Sequence, residues 1–155
     1  MTMDLIFRRH AEAEEPRGDQ ADVDRALTPR GEQQAARMGA WLDRHLPANT
    51  LVLCSPALRC QQTALRLGRS FVLSEALAPG RLPADLLRAA QWPHAKQPVM
   101  VVGHQPVLGQ ALAQLLRMQD GECAVLKGAA WWLRQKEQAG GPQTLVWAVR
   151  NPGRD

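Results

Sequence analysis

The three cysteines, Cys54, Cys60 and Cys123, are odd in number and nowhere at C-x-x-C spacing. Such a set offers no disulfide framework and predicts a reduced, cytoplasmic protein. No apolar stretch approaches the ~20 residues that cross a bilayer. Met1-Thr2-Met3-Asp4 shows no basic region leading into an apolar run of signal-peptide length, so neither a membrane nor an export route is expected. Lysine is scarce, limited to Lys96, Lys127 and Lys136, so the 19 basic residues are mostly arginine. Against 15 acidic residues they leave a net charge of only +4 and a pI near 9.5. With no stripe of clustered Lys and Arg interleaved with aromatics, nucleic acid is not the expected partner. Arginine suits forked contacts to phosphate or carboxylate, so a basic pocket for a small anion fits better; a merely basic surface is the plainer alternative. Internal repeats, low-complexity tracts and linkers are also absent. A length of 155 residues with 45% hydrophobic composition suits one domain, 1–155, with a sizeable core.

What is present alternates between strand and helix patterns. Leu5-Ile6-Phe7 is a short apolar run that stops at Arg8-Arg9-His10-Ala11, and residues 12–25 are polar, with Pro16 and Gly18, and read as a loop. Thr28-Pro29 then opens a helix, because Thr28 can cap it and Pro29 lacks an N–H that would be unpaired there anyway. Ala35, Met38, Leu42 and Leu46 give that helix one apolar face, and Pro47 stops it. Residues 51–54 form a second buried strand. A helix follows from Ser55-Pro56 to about Gly68, with Leu58, Ala64 and Leu65 inward. Residues 71–73 form a third strand, 75–83 a loop, 84–91 a short helix, 99–102 a fourth strand and 106–117 another helix. The remaining runs, 124–126, 130–133 and 145–149, are joined by glycine-rich turns and predict an antiparallel end to the sheet. Adjacent Trp131 and Trp132 on a strand must face opposite sides, which requires both faces of the sheet to be covered. The tail from Arg150 is expected to fray. The fold class predicted is α/β: a three-layer α/β/α sandwich around a central, mostly parallel sheet.

Three of the apolar runs end in residues suited to anion chemistry: Arg9-His10, Ser55-Pro56 with Arg59 beyond, and Gly103-His104. In a parallel sheet these carboxyl ends share one edge, where ligands bind. Arg9, His10, Arg59 and His104 would then converge without a carboxylate among them. Two unit charges ~4 Å apart repel by ~4 kcal/mol at an effective dielectric of 20. A bound dianion offsets that repulsion, and so does keeping one histidine neutral. A cysteine-based phosphate loop fails on spacing, since the arginine it needs six residues after Cys54 is replaced by Cys60. His45 ends an amphipathic helix, His94 lies in a proline-rich loop, and neither has metal-ligand spacing.

The motifs Arg9-His10-Ala11, Arg25-x-Leu27-Thr28-x-x-Gly31, Ser55-Pro56-x-x-Arg59-x-x-Gln62-Thr63 and Gly103-His104-x-Pro106 stand in the order of a known family. Over residues 3–112 the chain resembles the histidine phosphatase superfamily, with its phosphoglycerate mutase-like fold, and within it the short, SixA-type branch of phosphohistidine phosphatases. The resemblance implies that His10 is the nucleophile and forms a covalent phosphohistidine. Its ring would be neutral, the other nitrogen resting on a backbone carbonyl. Arg9 and Arg59 would hold the phosphoryl oxygens, a protonated His104 would bond to them, Arg25 would line the mouth, and Gly103 would allow close backbone approach. Arg8 would point away. Glu75 is a candidate proton donor, with Glu12 and Glu14 as weaker ones. No metal or cofactor is implied, because the arginines supply the positive charge. The expected substrate is a phosphorylated protein carrying phosphohistidine, met by a monomer whose short chain lacks the lid insertion of larger relatives. A small phosphate ester is the alternative substrate, and a non-catalytic phosphate-binding module the alternative class; retention of His10 speaks against the latter.

Overall fold

A computed structural model describes residues 2–153. Its elements are β1 (Thr2–Arg9), α1 (Pro29–His45), β2 (Leu51–Cys54), α2 (Leu58–Leu65), β3 (Val72–Leu73), α3 (Pro83–Ala89), β4 (Val99–Gly103), α4 (Val107–Leu115), β5 (Ala130–Lys136) and β6 (Gln143–Arg150). One six-stranded sheet runs in the order β3-β2-β4-β1-β5-β6. Strands β1 to β4 pair in parallel, while β5 and β6 are antiparallel, as the glycine-rich turns predicted. On one face Leu5, Phe7, Val101 and Leu133 pack against Leu86 of α3 and Leu108 and Leu112 of α4. On the other, Ile6, Met100, Val102 and Trp132 meet Met38 and Leu42 of α1 and Cys60 and Ala64 of α2. Trp131 packs against the first cluster and Trp132 belongs to the second, so the adjacent tryptophans do divide between covered faces.

Thr28 caps α1, its hydroxyl accepting from Gly31 N–H at 2.9 Å. Glycine is needed at position 31 because a Cβ there would collide with the Glu12 carbonyl oxygen, so α1 and the chain leaving β1 lie in direct backbone contact. That approach places the start of α1 beside the exit of β1.

Several sequence expectations are corrected. Helix α2 is shorter than expected, and Leu58 and Leu65 are 36% and 64% exposed rather than inward. The buried face of α2 belongs instead to Arg59, Cys60, Thr63 and Ala64. Residues 124–126 form no strand; this stretch crosses the end of β1 and uses its backbone groups on side chains there. Arg150 belongs to β6, paired with Ala130, and Arg37 donates to the Gly153 carbonyl, which holds the tail expected to fray as far as 153. Residues 154–155 of that tail lie outside the described residues.

Arg8 does turn to the opposite face from Arg9, but into the interior rather than into solvent. It is 0% exposed, and only its Nε has a partner, the Gly128 carbonyl at 3.3 Å. Burial alone lowers its pKa to about 10. Asp4, the other charged residue buried on β1, is by contrast paired with Arg134 at 2.7 Å and bonded to the Trp132 indole. A buried charge without a counterion costs stability that an apolar side chain of similar length does not. Arg8→Met is therefore expected to stabilise the fold by roughly 1–4 kcal/mol, read as a higher Tm. A lower Tm would show that the two terminal nitrogens of Arg8 contribute to stability.

Candidate active site

The parallel pairing of β1, β4 and β2 aligns Arg9 with Gly103 and Cys54 with Val102, so the residues just past the three strands meet at one sheet edge. There His10 follows β1, Ser55 follows β2 and His104 follows β4. A pocket of about 400 Å³ opens over them, lined by Arg9, His10, Arg25, Arg59, His104 and Asp22, with Gln105 and Lys127 at its side. A cavity of about 490 Å³ lies at the far end of β1, around Thr2 and Met3, and contains none of these groups.

His10 is held in one tautomer. Its Nδ1 lies 2.7 Å from the Ala11 carbonyl, which can only accept, so Nδ1 carries the proton and Nε2 keeps its lone pair. Burial foremost pulls the ring pKa down to about 4, aided by Arg59, Arg9 and Arg25 and opposed by the Ala11 carbonyl. Backbone bonds fix the residue from both sides: His10 N–H donates to the Gly103 carbonyl, and Gly128 N–H donates to the His10 carbonyl. Thr63 joins this exit to α2, accepting from Ala11 N–H at 3.1 Å and donating to the Arg59 carbonyl at 2.8 Å.

Arg59 is the hub. Its Nε sits 3.4 Å from His10 Nε2, and its terminal nitrogens reach His104 Nδ1 at 3.3 Å, the Asp22 carbonyl at 2.9 Å and the Asp22 carboxylate at 3.1 Å. A guanidinium can only donate, so His104 Nδ1 is bare and Nε2 carries the proton, donating to Ser55 Oγ at 2.8 Å. The expectation of a protonated His104 is not met in this pocket. Burial, then Arg59 and His10, push its pKa down to about 3, with only Asp22 among the main influences working the other way. A phosphoryl dianion would act in the same sense as Asp22, and more strongly. Arg9 is half-buried and steadied by the Val125 carbonyl at 2.8 Å, while Arg25 bonds the Glu14 carbonyl and the Asp22 carboxylate. Arg9, Arg25, Arg59 and the two histidines are thus brought together.

The other candidates are not. Glu75 lines a separate cavity with Arg81 and Asp85, away from His10. Glu12 accepts from the Thr28 hydroxyl at 2.7 Å and so belongs to the start of α1. Neither Glu12 nor Glu14 lines the pocket; among the described residues its carboxylates are Asp22 and Glu15. A Cβ at Gly103 would meet only the Leu108 side chain, at ordinary contact distance, and Gly103 is not among the residues lining the pocket; its carbonyl anchors His10. The thiols of Cys54 and Cys60 are buried and burial drives both pKa values up, which keeps them protonated.

Asp22, on a short 3-10 turn inside the first loop, escaped the sequence reading: nothing there sets it apart from Asp19 or Asp24. Ser55 stood in a motif without a role, and now fixes the tautomer of His104. The carbonyls of Val125 and Gly128 could not be found from sequence, since backbone groups leave no residue signature.

A model of the histidine phosphatase superfamily (branch 1) matches residues 5–78. An uncharacterised protein of Mycobacterium tuberculosis is 37% identical over 123 residues, covering 76% of this chain and 75% of that protein. A phosphohistidine phosphatase SixA homolog of Haemophilus influenzae is 32% identical over 129 residues, 73% of this chain and 77% of its own length. Among solved structures, a candidate phosphohistidine phosphatase SixA from Nakamurella multipartitia superposes with a TM-score of 0.79 at 27% identity, covering 98% of this chain and 97% of that one. The protein histidine phosphatase SixA complexed with tungstate shares the fold at a TM-score of 0.74 and 23% identity, over 96% of this chain and 97% of that one.

Proposed function

The chain belongs to the histidine phosphatase superfamily, and from that premise we propose that it removes phosphoryl groups from phosphohistidine in a signalling protein. The observation that carries the reading is the state of His10: neutral, its Nδ1–H donating to the Ala11 carbonyl, its Nε2 lone pair beside Arg59 in a pocket of arginines. Such a nitrogen is a nucleophile at neutral pH. It attacks phosphorus, the P–N bond of the substrate breaks, and the electron pair stays with the substrate ring, which is already protonated on its other nitrogen and so leaves as neutral imidazole. Water then attacks phosphorus on His10, releases phosphate and restores the ring. Arg9 and Arg59 neutralise the phosphoryl oxygens through the transition state, and His104 joins them once the dianion raises its basicity. Charge stabilisation by arginine leaves no step that calls for a metal.

The Asp22 carboxylate beside Arg59 favours nitrogen over oxygen as the leaving atom. An alkoxide needs a proton as it departs, and a useful donor has a pKa near the working pH. Burial tends to raise the Asp22 carboxyl, but Arg59 and then Arg25 outweigh it and hold the group below the usual range, so Asp22 is a carboxylate and a poor acid. Imidazole leaves without that help. The test offers a phosphohistidine protein and p-nitrophenyl phosphate side by side. Faster release from the phosphohistidine protein is expected. No phosphate from either would remove the reading, and faster ester hydrolysis that depends on Glu75 would replace it with a phosphomonoesterase.

A further inference from the structure

Every nitrogen of Arg59 is engaged in the pocket, and two of its four bonds go to one residue. Asp22 offers its carbonyl to one terminal nitrogen at 2.9 Å and carboxylate Oδ2 to the other at 3.1 Å, while Oδ1 takes Arg25 Nε at 2.9 Å. Both carboxylate oxygens thus sit on arginines that line the pocket, as two oxygens of a phosphoryl group would. The two ends of this ion pair differ in freedom. Arg59 is 5% exposed at its side chain and locked between His10 and His104, whereas the Asp22 side chain is 53% exposed and can turn to water.

We propose that Asp22 is a specificity-determining residue: its carboxylate is an internal competitor for the arginine seat, which an incoming phosphoryl group displaces and which returns as phosphate leaves. This rests on the phosphatase reading of the same pocket and adds a consequence for selectivity. A free phosphate ion gains little beyond the arginines and must replace Asp22 to reach them. A phosphoryl group on a protein brings further contacts outside the pocket to the exchange. Asp22 therefore makes the site a poor binder of its own product and keeps ambient phosphate from filling it. While the seat is empty, the carboxylate also offsets part of the repulsion among Arg9, Arg25 and Arg59.

Binding of inorganic phosphate to the wild type, Asp22→Asn and Asp22→Ala, followed by titration calorimetry, tests this. Loss of one like charge beside the bound anion is expected to tighten phosphate binding on the order of tenfold in both variants, with an equal fall in the inhibition constant of phosphate during turnover. A residue that merely held Arg59 in place would give the opposite sign, so weaker or unchanged binding overturns the proposal while leaving the phosphatase reading intact. Absence of phosphate binding in the wild type and both variants would overturn both. An independent check needs no variant: in the wild type, the Asp22 carboxyl titration followed by NMR should move up when phosphate is bound. An unmoved titration means the carboxylate is not displaced.

Discussion

Replacing His10 with alanine is expected to lower turnover by roughly 10⁴-fold or more, since the covalent intermediate of the proposed reaction forms on its Nε2. Wild-type protein quenched during turnover should carry a phosphoryl label that survives base and is lost in acid, as a P–N bond requires, and His10→Ala should carry none. A thiol is the competing nucleophile, and burial keeps Cys54 and Cys60 protonated; label on Cys54 would overturn the assignment. The pH profile is an independent check. The active form of His10 is the unprotonated one, and its pKa is lowered to about 4. The kcat/KM profile should therefore be flat from about pH 5 upward through neutrality and fall only as pH drops through about 4. A rising limb near 6.5, the ordinary value for histidine, would mean that the ring is solvated and not held as described. His10→Ala should still bind phosphate, because Arg9, Arg25 and Arg59 remain.

Much of this site was legible in the sequence because the pieces that carry it are side chains at strand ends. An apolar run ending in Arg9-His10, and another ending in Gly103-His104, announce where a parallel sheet presents its ligands, and α1 was marked by Thr28-Pro29 and its apolar stripe. Helix α2 misled for a physical reason. Periodicity counts leucines, but the face of α2 that is buried holds Arg59, Cys60 and Thr63, so Leu58 and Leu65 were left to solvent. Residues 124–126 read as a strand in the sequence because Ala124-Val125-Leu126 is apolar, yet the segment 124–129 that holds them forms none. Its actual work is done by backbone groups, the Val125 carbonyl on Arg9 and both the N–H and the carbonyl of Gly128 on His10 and Arg8. Charge state was the other gap. The family resemblance implies a protonated His104, yet burial and then the crowding of basic groups around it drive it neutral. The resolution lies in the Ser55 hydroxyl and Arg59, whose positions relative to His104 only the fold supplies.

Arg59→Ala is the second variant with a large expected effect, a fall of roughly 10³-fold or more in kcat/KM, comparable to losing an arginine that neutralises a transferring phosphoryl group. Its particular signature is electrostatic. Arg59 is among the groups that depress both His10 and His104. Removing it takes away a neighbouring positive charge and opens the buried rings to water, and both changes raise a histidine pKa. The residual activity of Arg59→Ala should therefore lose its acid limb at higher pH than the wild type, moving from near 4 toward the ordinary histidine value. Arg59→Lys restores the charge but not the geometry. One ammonium cannot face His10, His104 and the Asp22 carbonyl and carboxylate at once, as the guanidinium does through its three nitrogens. Lysine is thus expected to bring the acid limb part of the way back while leaving most of the rate loss in place. If lysine restored the rate as well, Arg59 would act as a point charge alone, and the fork that joins both histidines to the Asp22 loop would have no part in catalysis.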